Sequence, residues 1–214
     1  MGKDKNAIAA YAYFSTLDGN QHIASEYALR MINRIIGAFG IKSVLELGLG
    51  IGSISYSVLD FSSKKNLGID YTGTESNTFC LGVLPKYLQE YYHKIALYPA
   101  LKEIPETTSF DLIIVDGKEE MLDSIKKRTT KHGIILIEGD RAPQLEIIKK
   151  IFPKCRYTRA ISLYKNPAYG PFPPSDWCGG IQIVFINPNL KQKLYYVSVK
   201  VATSIKYKLR KLKK

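Results

Sequence analysis

Residues 44–53 read Val-Leu-Glu-Leu-Gly-Leu-Gly-Ile-Gly-Ser, a short apolar run followed by a turn with three glycines and the start of a helix-forming segment. Glycine allows the backbone to turn sharply, and it allows a ligand to approach main-chain atoms that a Cβ would block. A strand that leads through such a turn into a helix is typical of α/β folds that bind nucleotides. This stretch therefore predicts an α/β fold, provided that strands and helices alternate in the rest of the chain.

Aliphatic and β-branched runs do alternate with segments of helical spacing. The predicted strands are 43–47, 71–75, 95–98, 111–116, 133–138, 160–164 and 181–186, and the predicted helices are 24–39, 53–61, 78–92, 119–129 and 144–152. This rhythm predicts a Rossmann-like, doubly wound α/β fold: a mostly parallel sheet with helices on both faces. Because no helix separates the runs 160–164 and 181–186, we expect the last strand to be antiparallel.

Composition and charge distribution narrow the class of protein. The chain has 214 residues, is 45% hydrophobic and contains three separated cysteines, which fits one globular domain in a reducing compartment. The formal net charge is +12, but nine basic residues and no acidic residue fall in 189–214, which leaves +3 for the rest. We expect a domain over 1–188, in which residues 1–40 form a helical lid segment, and a basic amphipathic helix over 189–214. No apolar run approaches the ~20 residues that span a bilayer, and we expect a cytoplasmic protein.

Two acidic residues near the glycine turn indicate the kind of ligand. Glu46 stands two residues before the first glycine, where a carboxylate would repel a pyrophosphate but not an amino group or another positive centre. This disfavours a nucleotide-binding oxidoreductase. Glu75 ends the second predicted strand, where a carboxylate can accept hydrogen bonds from both hydroxyls of a ribose.

The segment Glu-Leu-Gly-Leu-Gly-Ile-Gly at 46–52, with an acidic residue ending the next strand, resembles the class I S-adenosylmethionine-dependent methyltransferases. The two final strands without an intervening helix resemble the closing hairpin of that family. The resemblance covers residues 24–188 and implies a seven-stranded sheet whose last strand is antiparallel. It also implies S-adenosylmethionine as the cofactor.

The same resemblance implies a set of cofactor-binding residues. They are Glu46, Gly48, Gly50, Gly52, Glu75, Ser76 and Asp116. The three glycines would line the methionine portion, and Glu46 would contact its amino group through the backbone or a water molecule. Glu75, with Ser76 beside it, would hold the ribose.

Acidic residues that end the fourth and fifth predicted strands mark the expected reaction site. Asp116 ends one strand, and Glu138 and Asp140 end the other, where ligands of parallel sheets bind. Methyl transfer to oxygen requires alignment and removal of the acceptor's proton, and the predicted catalytic groups are Asp116, Lys118 and Asp140. The pattern resembles small-molecule O-methyltransferases of the catechol and sugar-modifying types, in which similarly placed acids hold a divalent cation. Mg²⁺ is therefore an alternative second cofactor, although no Asp-Asn pair follows the fifth strand.

The predicted function is methylation of a hydroxyl group on a small-molecule or glycan-like acceptor. Aromatic and polar residues in 11–22 and 169–179 are expected to cover the mouth of the site. One alternative is an RNA ribose 2′-O-methyltransferase, which the basic segment 189–214 would serve; another is a catalytically silent cofactor-binding module at a membrane surface. Apolar residues in 189–214 recur at steps of three or four, which predicts a cationic amphipathic helix. Its preferred partner is an anionic membrane surface rather than nucleic acid.

Overall fold

The computed structural model describes residues 5–117, 122–139 and 141–212. Within them one sheet contains the strands β1 (Ser43–Leu47), β2 (Asp70–Thr74), β3 (Ile95–Tyr98), β4 (Phe110–Val115), β5 (Thr129–Glu138), β6 (Arg156–Ile161) and β7 (Gly180–Phe185). The strand order is β3-β2-β1-β4-β5-β7-β6, and β7 is antiparallel to both of its neighbours while the other pairs are parallel. The predicted doubly wound sheet with an antiparallel last strand is confirmed.

The described helices are α1 (Lys5–Phe14), α2 (Glu26–Phe39), α3 (Ser53–Lys65), α4 (Thr78–Leu88), α5 (Ala142–Ile151) and α6 (Leu190–Leu212). The prediction of an α-helix over 119–129 is wrong where it can be compared, because 122–128 form a 3₁₀ helix that leads directly into β5. The predicted strand over 160–164 begins too late. β6 spans Arg156–Ile161 at the edge of the sheet, and its first four residues, Arg-Tyr-Thr-Arg, form no apolar run that would mark a strand.

Local sequence explains why the central elements form. β4 is apolar throughout because it is buried on both faces: Leu112 and Ile114 pack in one core cluster, and Ile113 and Val115 pack in the other. Helix α2 begins at a Ser25 cap, whose side chain accepts a hydrogen bond from the Ala28 backbone at 3.2 Å. The two faces of the sheet thus bury separate apolar layers, and they leave its carboxyl edge for polar residues.

Helix α6 covers β6, the outer strand at one edge of the sheet. An edge strand carries carbonyl groups that no neighbouring strand pairs. Side chains of α6 donate to carbonyl oxygens of β6 and the residue after it: Thr203 to Arg159 (2.7 Å), Lys206 to Ile161 (2.8 Å) and Arg210 to Ser162 (3.0 Å). Among the described helices, none is long and apolar enough to cross a membrane.

Candidate active site

A cleft of about 1100 Å³ lies at the carboxyl edge of the parallel strands. Its wall contains residues that end or follow β1, β2, β3, β4 and β5, and the strand order reverses between β1 and β4. Ligands of doubly wound sheets bind at such a reversal. The remaining wall comes from the segment before α2 and from the loop between β6 and β7.

The glycine turn between β1 and α3 has left-handed backbone at all three glycines, with φ of 88° at Gly48, 54° at Gly50 and 97° at Gly52. A Cβ on Gly48 would lie 2.7 Å from the backbone of Gly117, so this glycine permits close packing of the loops after β1 and β4. A Cβ on Gly50 would meet nothing within 4 Å. Gly48 and Gly50 line the cleft, whereas Gly52 caps α3 and would collide with Leu88 if it carried a side chain.

Glu75 lines the cleft just after β2, and the backbone holds its carboxylate in place. Oε2 accepts from the Gly50 N–H at 2.7 Å, and Oε1 accepts from the N–H groups of Ser76 and Asn77, each at 2.8 Å. A carboxylate has about four acceptor directions. Glu75 therefore keeps one direction for a ligand hydroxyl without losing a present bond, and Ser76 lies on the same wall.

Glu46 is completely buried inside the sheet and does not line the cleft. Its Oε2 accepts from the Tyr71 hydroxyl at 2.5 Å, and its Oε1 has no hydrogen-bond partner among the described residues. Burial raises the pKa of Glu46 well above its usual range, because it penalises the charged form. Since Glu46 does not line the cleft, its carboxyl group is not placed to repel a pyrophosphate there, and its contact with a cofactor amino group through the backbone or a water molecule stays a prediction.

Two carboxyl groups, on Asp116 and Glu138, line the cleft after β4 and at the end of β5. Arg141 joins these strand ends: its Nε donates to the Glu138 carbonyl at 3.0 Å, and its Nη2 donates to the Asp116 carbonyl and lies 3.5 Å from Asp116 Oδ1. Burial and the charge of Glu138 raise the pKa of Asp116 from 3.8 to about 7, against the effect of Arg141. Burial also raises the pKa of Glu138, opposed by the Ser25 N–H and by Arg141.

Of the predicted catalytic groups, the structure therefore describes Asp116 alone. Lys118 and Asp140 lie outside the described residues. Within the described portion of the chain, no group of three or more His, Cys, Asp or Glu side chains is placed to hold a metal ion. The Mg²⁺ alternative thus gains no ligand set here beyond the two carboxyl groups.

The structure places the two segments that were expected to cover the cleft, 11–22 and 169–179, in different environments. Phe172, Asp176 and Trp177 of the β6–β7 loop line the cleft as expected. From the earlier segment only Gln21 and His22 reach it, whereas Tyr11 and Phe14 are fully buried in the core, where α1 packs on α2 and α3.

Two further residues of the site were missed from the sequence. They are Arg141 and Ser25, whose backbone N–H donates to Glu138 Oε1 at 3.5 Å. The contact joins residues 113 positions apart, so no local pattern signals it. A helix-capping serine is the one sequence feature that marks Ser25.

Comparison with known proteins supports the fold. No family model and no curated protein matches the chain. A putative O-methyltransferase from Klebsiella pneumoniae matches with a TM-score of 0.64 at 13% identity, over 86% of this chain and 90% of that one. The O-methyltransferase TomG from Streptomyces achromogenes, solved with S-adenosylmethionine, matches with 0.62 at 12% identity, over 86% and 90%.

A third solved structure is the O-methyltransferase from Bacillus cereus in complex with S-adenosylhomocysteine. It matches with a TM-score of 0.58 at 12% identity, over 86% of this chain and 92% of that chain. At such identities the likeness concerns the fold. The chain has the Rossmann-like fold of S-adenosylmethionine-dependent O-methyltransferases, as the resemblance in residues 46–52 implied.

Proposed function

We propose that this protein transfers a methyl group from S-adenosylmethionine to a hydroxyl of a small-molecule or glycan-like acceptor. The bond between methyl carbon and sulfur breaks, the bond between methyl carbon and acceptor oxygen forms, and the hydroxyl proton passes to a base. One observation carries the proposal: the cleft combines a left-handed glycine turn, a carboxylate oriented by backbone at the end of β2, and a carboxyl pair with raised pKa values beside Arg141.

The cleft residues fit S-adenosylmethionine, which supplies a methyl group on a positively charged sulfur when bound. Gly48 and Gly50 present main-chain atoms without a side chain, so a ligand can approach them closely. Glu75 has an acceptor direction left for a ribose hydroxyl. Asp116 and Glu138 give the cleft negative charge once they ionise, which suits a sulfonium and an ammonium group.

The other predicted cofactor residues have different surroundings. Ser76 lies on the cleft wall beside Glu75. Gly52 supports the start of α3, and Glu46 supports the strand below the turn, so we assign these two residues an indirect role in cofactor binding.

Asp116 is the proposed general base for the acceptor's proton. A base works best when its pKa lies near the working pH, and burial with the nearby Glu138 brings the pKa of Asp116 to about 7. Arg141, 3.5 Å from Oδ1, stabilises the ionised form that accepts a proton. Lys118 and Asp140 remain proposed helpers, and Asp140 would be the third oxygen ligand if Mg²⁺ binds beside Asp116 and Glu138.

The remaining alternatives are less well supported. The RNA alternative relies on the basic segment, yet the exposed apolar residues of α6 are mostly aliphatic, with one largely exposed aromatic ring at Tyr207. A catalytically silent cofactor-binding module would have the same cleft, so only an assay of methyl transfer distinguishes it from an enzyme. A cytoplasmic location stays a prediction, as does a place at a membrane surface.

Isothermal titration calorimetry with S-adenosylmethionine and S-adenosylhomocysteine tests the proposal. We expect micromolar binding of both ligands. Glu75→Gln should weaken it at least about tenfold, because a hydrogen bond to a charged group contributes roughly 1.5–3 kcal/mol. Glu90→Gln, which changes an exposed glutamate that does not line the cleft, is the matched control and should bind as the unmodified protein does.

Two outcomes would contradict the proposal. One is binding of NAD with neither methionine-derived ligand, which would favour a dinucleotide enzyme. The other is normal cofactor binding without methyl transfer to any hydroxyl compound in a broad panel, measured with methyl-labelled cofactor. That result would favour the silent module.

A further inference from the structure

Helix α6 packs Tyr195 and Val199 against the core and turns a second set of apolar residues away from the domain. The exposed fractions are 73% for Leu190, 65% for Leu194, 53% for Val197, 54% for Val201, 53% for Ile205 and 82% for Leu212. At 3.6 residues per turn these six side chains fall within about 40° of one line along the helix, over a length of about 33 Å. We call these six residues the outward stripe.

The opposite face of α6 explains why the stripe points outward. That face donates hydrogen bonds to the edge strand through Thr203, Lys206 and Arg210, and Gln192 Nε2 donates to the His132 carbonyl at 2.7 Å. Rolling the helix to bury the stripe would break these bonds and expose the carbonyls of β6. The face that carries these donors is therefore held on the sheet edge, and the outward stripe is left without a partner in the described chain.

Charge selects the kind of partner. Lys193, Lys200 and Lys211 are exposed along one border of the outward stripe, and residues 189–214 contain no acidic residue. A second copy of this chain would bring two such basic helices face to face, which repels. An apolar stripe with a lysine border matches a surface that offers hydrocarbon and negative charge together, as anionic phospholipid does.

We propose that the outward stripe of α6 docks this protein on an anionic phospholipid surface. The stripe enters the boundary between headgroups and acyl chains, and the bordering lysines contact the headgroups. The helix is already folded and anchored before it binds, so docking orders few further groups. Arg210 near the end of α6 lies 4.7 Å from the ring of Trp177, a residue of the cleft wall, so the docked helix ends beside the cleft.

Flotation of the full chain with vesicles tests the apolar component of the proposal. We expect binding to vesicles of phosphatidylcholine mixed with phosphatidylserine. Ile205→Gln should weaken that binding roughly fivefold, because the half of this side chain that is exposed would be buried against the lipid. Ile147→Gln on α5 is the matched control: it makes the same change at a side chain that is 38% exposed, and it should bind normally.

The same assay tests the charge. Replacing Lys193, Lys200 and Lys211 by Gln should weaken binding roughly a hundredfold, which corresponds to about 1 kcal/mol for each lysine near an anionic surface. The control replaces three exposed lysines elsewhere by Gln, at Lys126, Lys150 and Lys154. It removes the same charge and should leave most of the binding intact.

Several results would overturn the proposal. These are no binding to anionic vesicles, equal binding to vesicles of phosphatidylcholine alone, or binding that Ile205→Gln leaves unchanged. A dimer in analytical ultracentrifugation that Ile205→Gln converts to a monomer would assign the stripe to a second copy instead. Circular dichroism of each variant checks that its fold is retained, as expected for changes at exposed positions.

Discussion

Replacing Asp116 by Asn should make the protein more stable at high pH, with little change in acid. Burial and Glu138 raise the pKa of Asp116 from 3.8 to about 7, so the folded protein binds a proton there that the unfolded chain has released. The contribution of Asp116 to the free energy of unfolding is therefore largest below the pKa that it has in the unfolded chain. It decreases as the pH rises and is lost once the pH exceeds the pKa in the folded protein. Asn is a neutral isostere of the protonated acid, so the variant does not lose this stability as the pH rises.

The size of the effect follows from the shift. About three pKa units at 1.36 kcal/mol per unit give a loss of about 4 kcal/mol above pH 7 as an upper limit. By linkage about a third of this is already lost at pH 5, so the advantage of Asp116→Asn should grow by about 2–3 kcal/mol between pH 5 and pH 8. The pKa of about 7 already includes the opposing effect of Arg141, 3.5 Å from Oδ1.

Urea unfolding at a series of pH values measures the difference in the free energy of unfolding. Asp123→Asn is the control, because it makes the same change at an exposed aspartate and should show no such growth. Glu138→Gln tests the cause: without the neighbouring charge, the pH effect of Asp116 should move to lower pH. A difference between Asp116→Asn and the unmodified protein that stays constant from pH 5 to pH 8 would refute the reasoning.

The same variant has a consequence for catalysis. If Asp116 takes the acceptor's proton, Asp116→Asn should lower kcat at least about a hundredfold. Its affinity for S-adenosylhomocysteine should fall much less than kcat does, because one charge near the ammonium group is lost while Glu75 and the glycine turn remain. An unchanged kcat would assign the base to another group.

Two further stability predictions come from the glycine turn and the buried glutamate. Gly40, which ends α2 with a left-handed φ of 65°, serves as the reference: in Gly40→Ala the new Cβ meets nothing within 4 Å, so the change should cost only the strain of left-handed backbone, about 1–2 kcal/mol. In Gly48→Ala the new Cβ also lies 2.7 Å from the Gly117 backbone, so this change should cost at least twice as much in urea unfolding. Equal costs would show that the loops can separate freely. Tyr71→Phe removes the hydrogen bond to Glu46 and should destabilise the protein by about 1–3 kcal/mol, whereas an unchanged urea midpoint would show that Glu46 has another partner.

Much of the fold could be predicted from local sequence. The runs at 43–47 and 95–98 match the observed strands, and the turn at residues 48–52 lies where the glycines put it. These features depend on side-chain period and on backbone freedom, which act over a few residues. The late placement of β6 and the missed helix α1 have the opposite cause, since edge position and packing against α3 are not visible in a local pattern.

The candidate site divides in the same way. Asp116, Glu75 and Ser76 line the cleft because they follow parallel strands, which end at one edge of the sheet. The sequence shows where these strands end, so the three residues could be predicted. The state of Glu46 could not be predicted, since its charge depends on complete burial under neighbouring strands. The bridging by Arg141 likewise depends on where two strand ends meet in space.

Helix α6 shows the limit most clearly. The sequence alone predicted a basic amphipathic helix in this part of the chain, where the structure has α6 over Leu190–Leu212, because apolar residues at steps of three or four share one face of any helix. Only the tertiary structure decided which face meets the domain. The open carbonyls of β6 require hydrogen-bond donors, so the face with Thr203, Lys206 and Arg210, on which Tyr195 also packs, meets the domain and the outward stripe remains exposed.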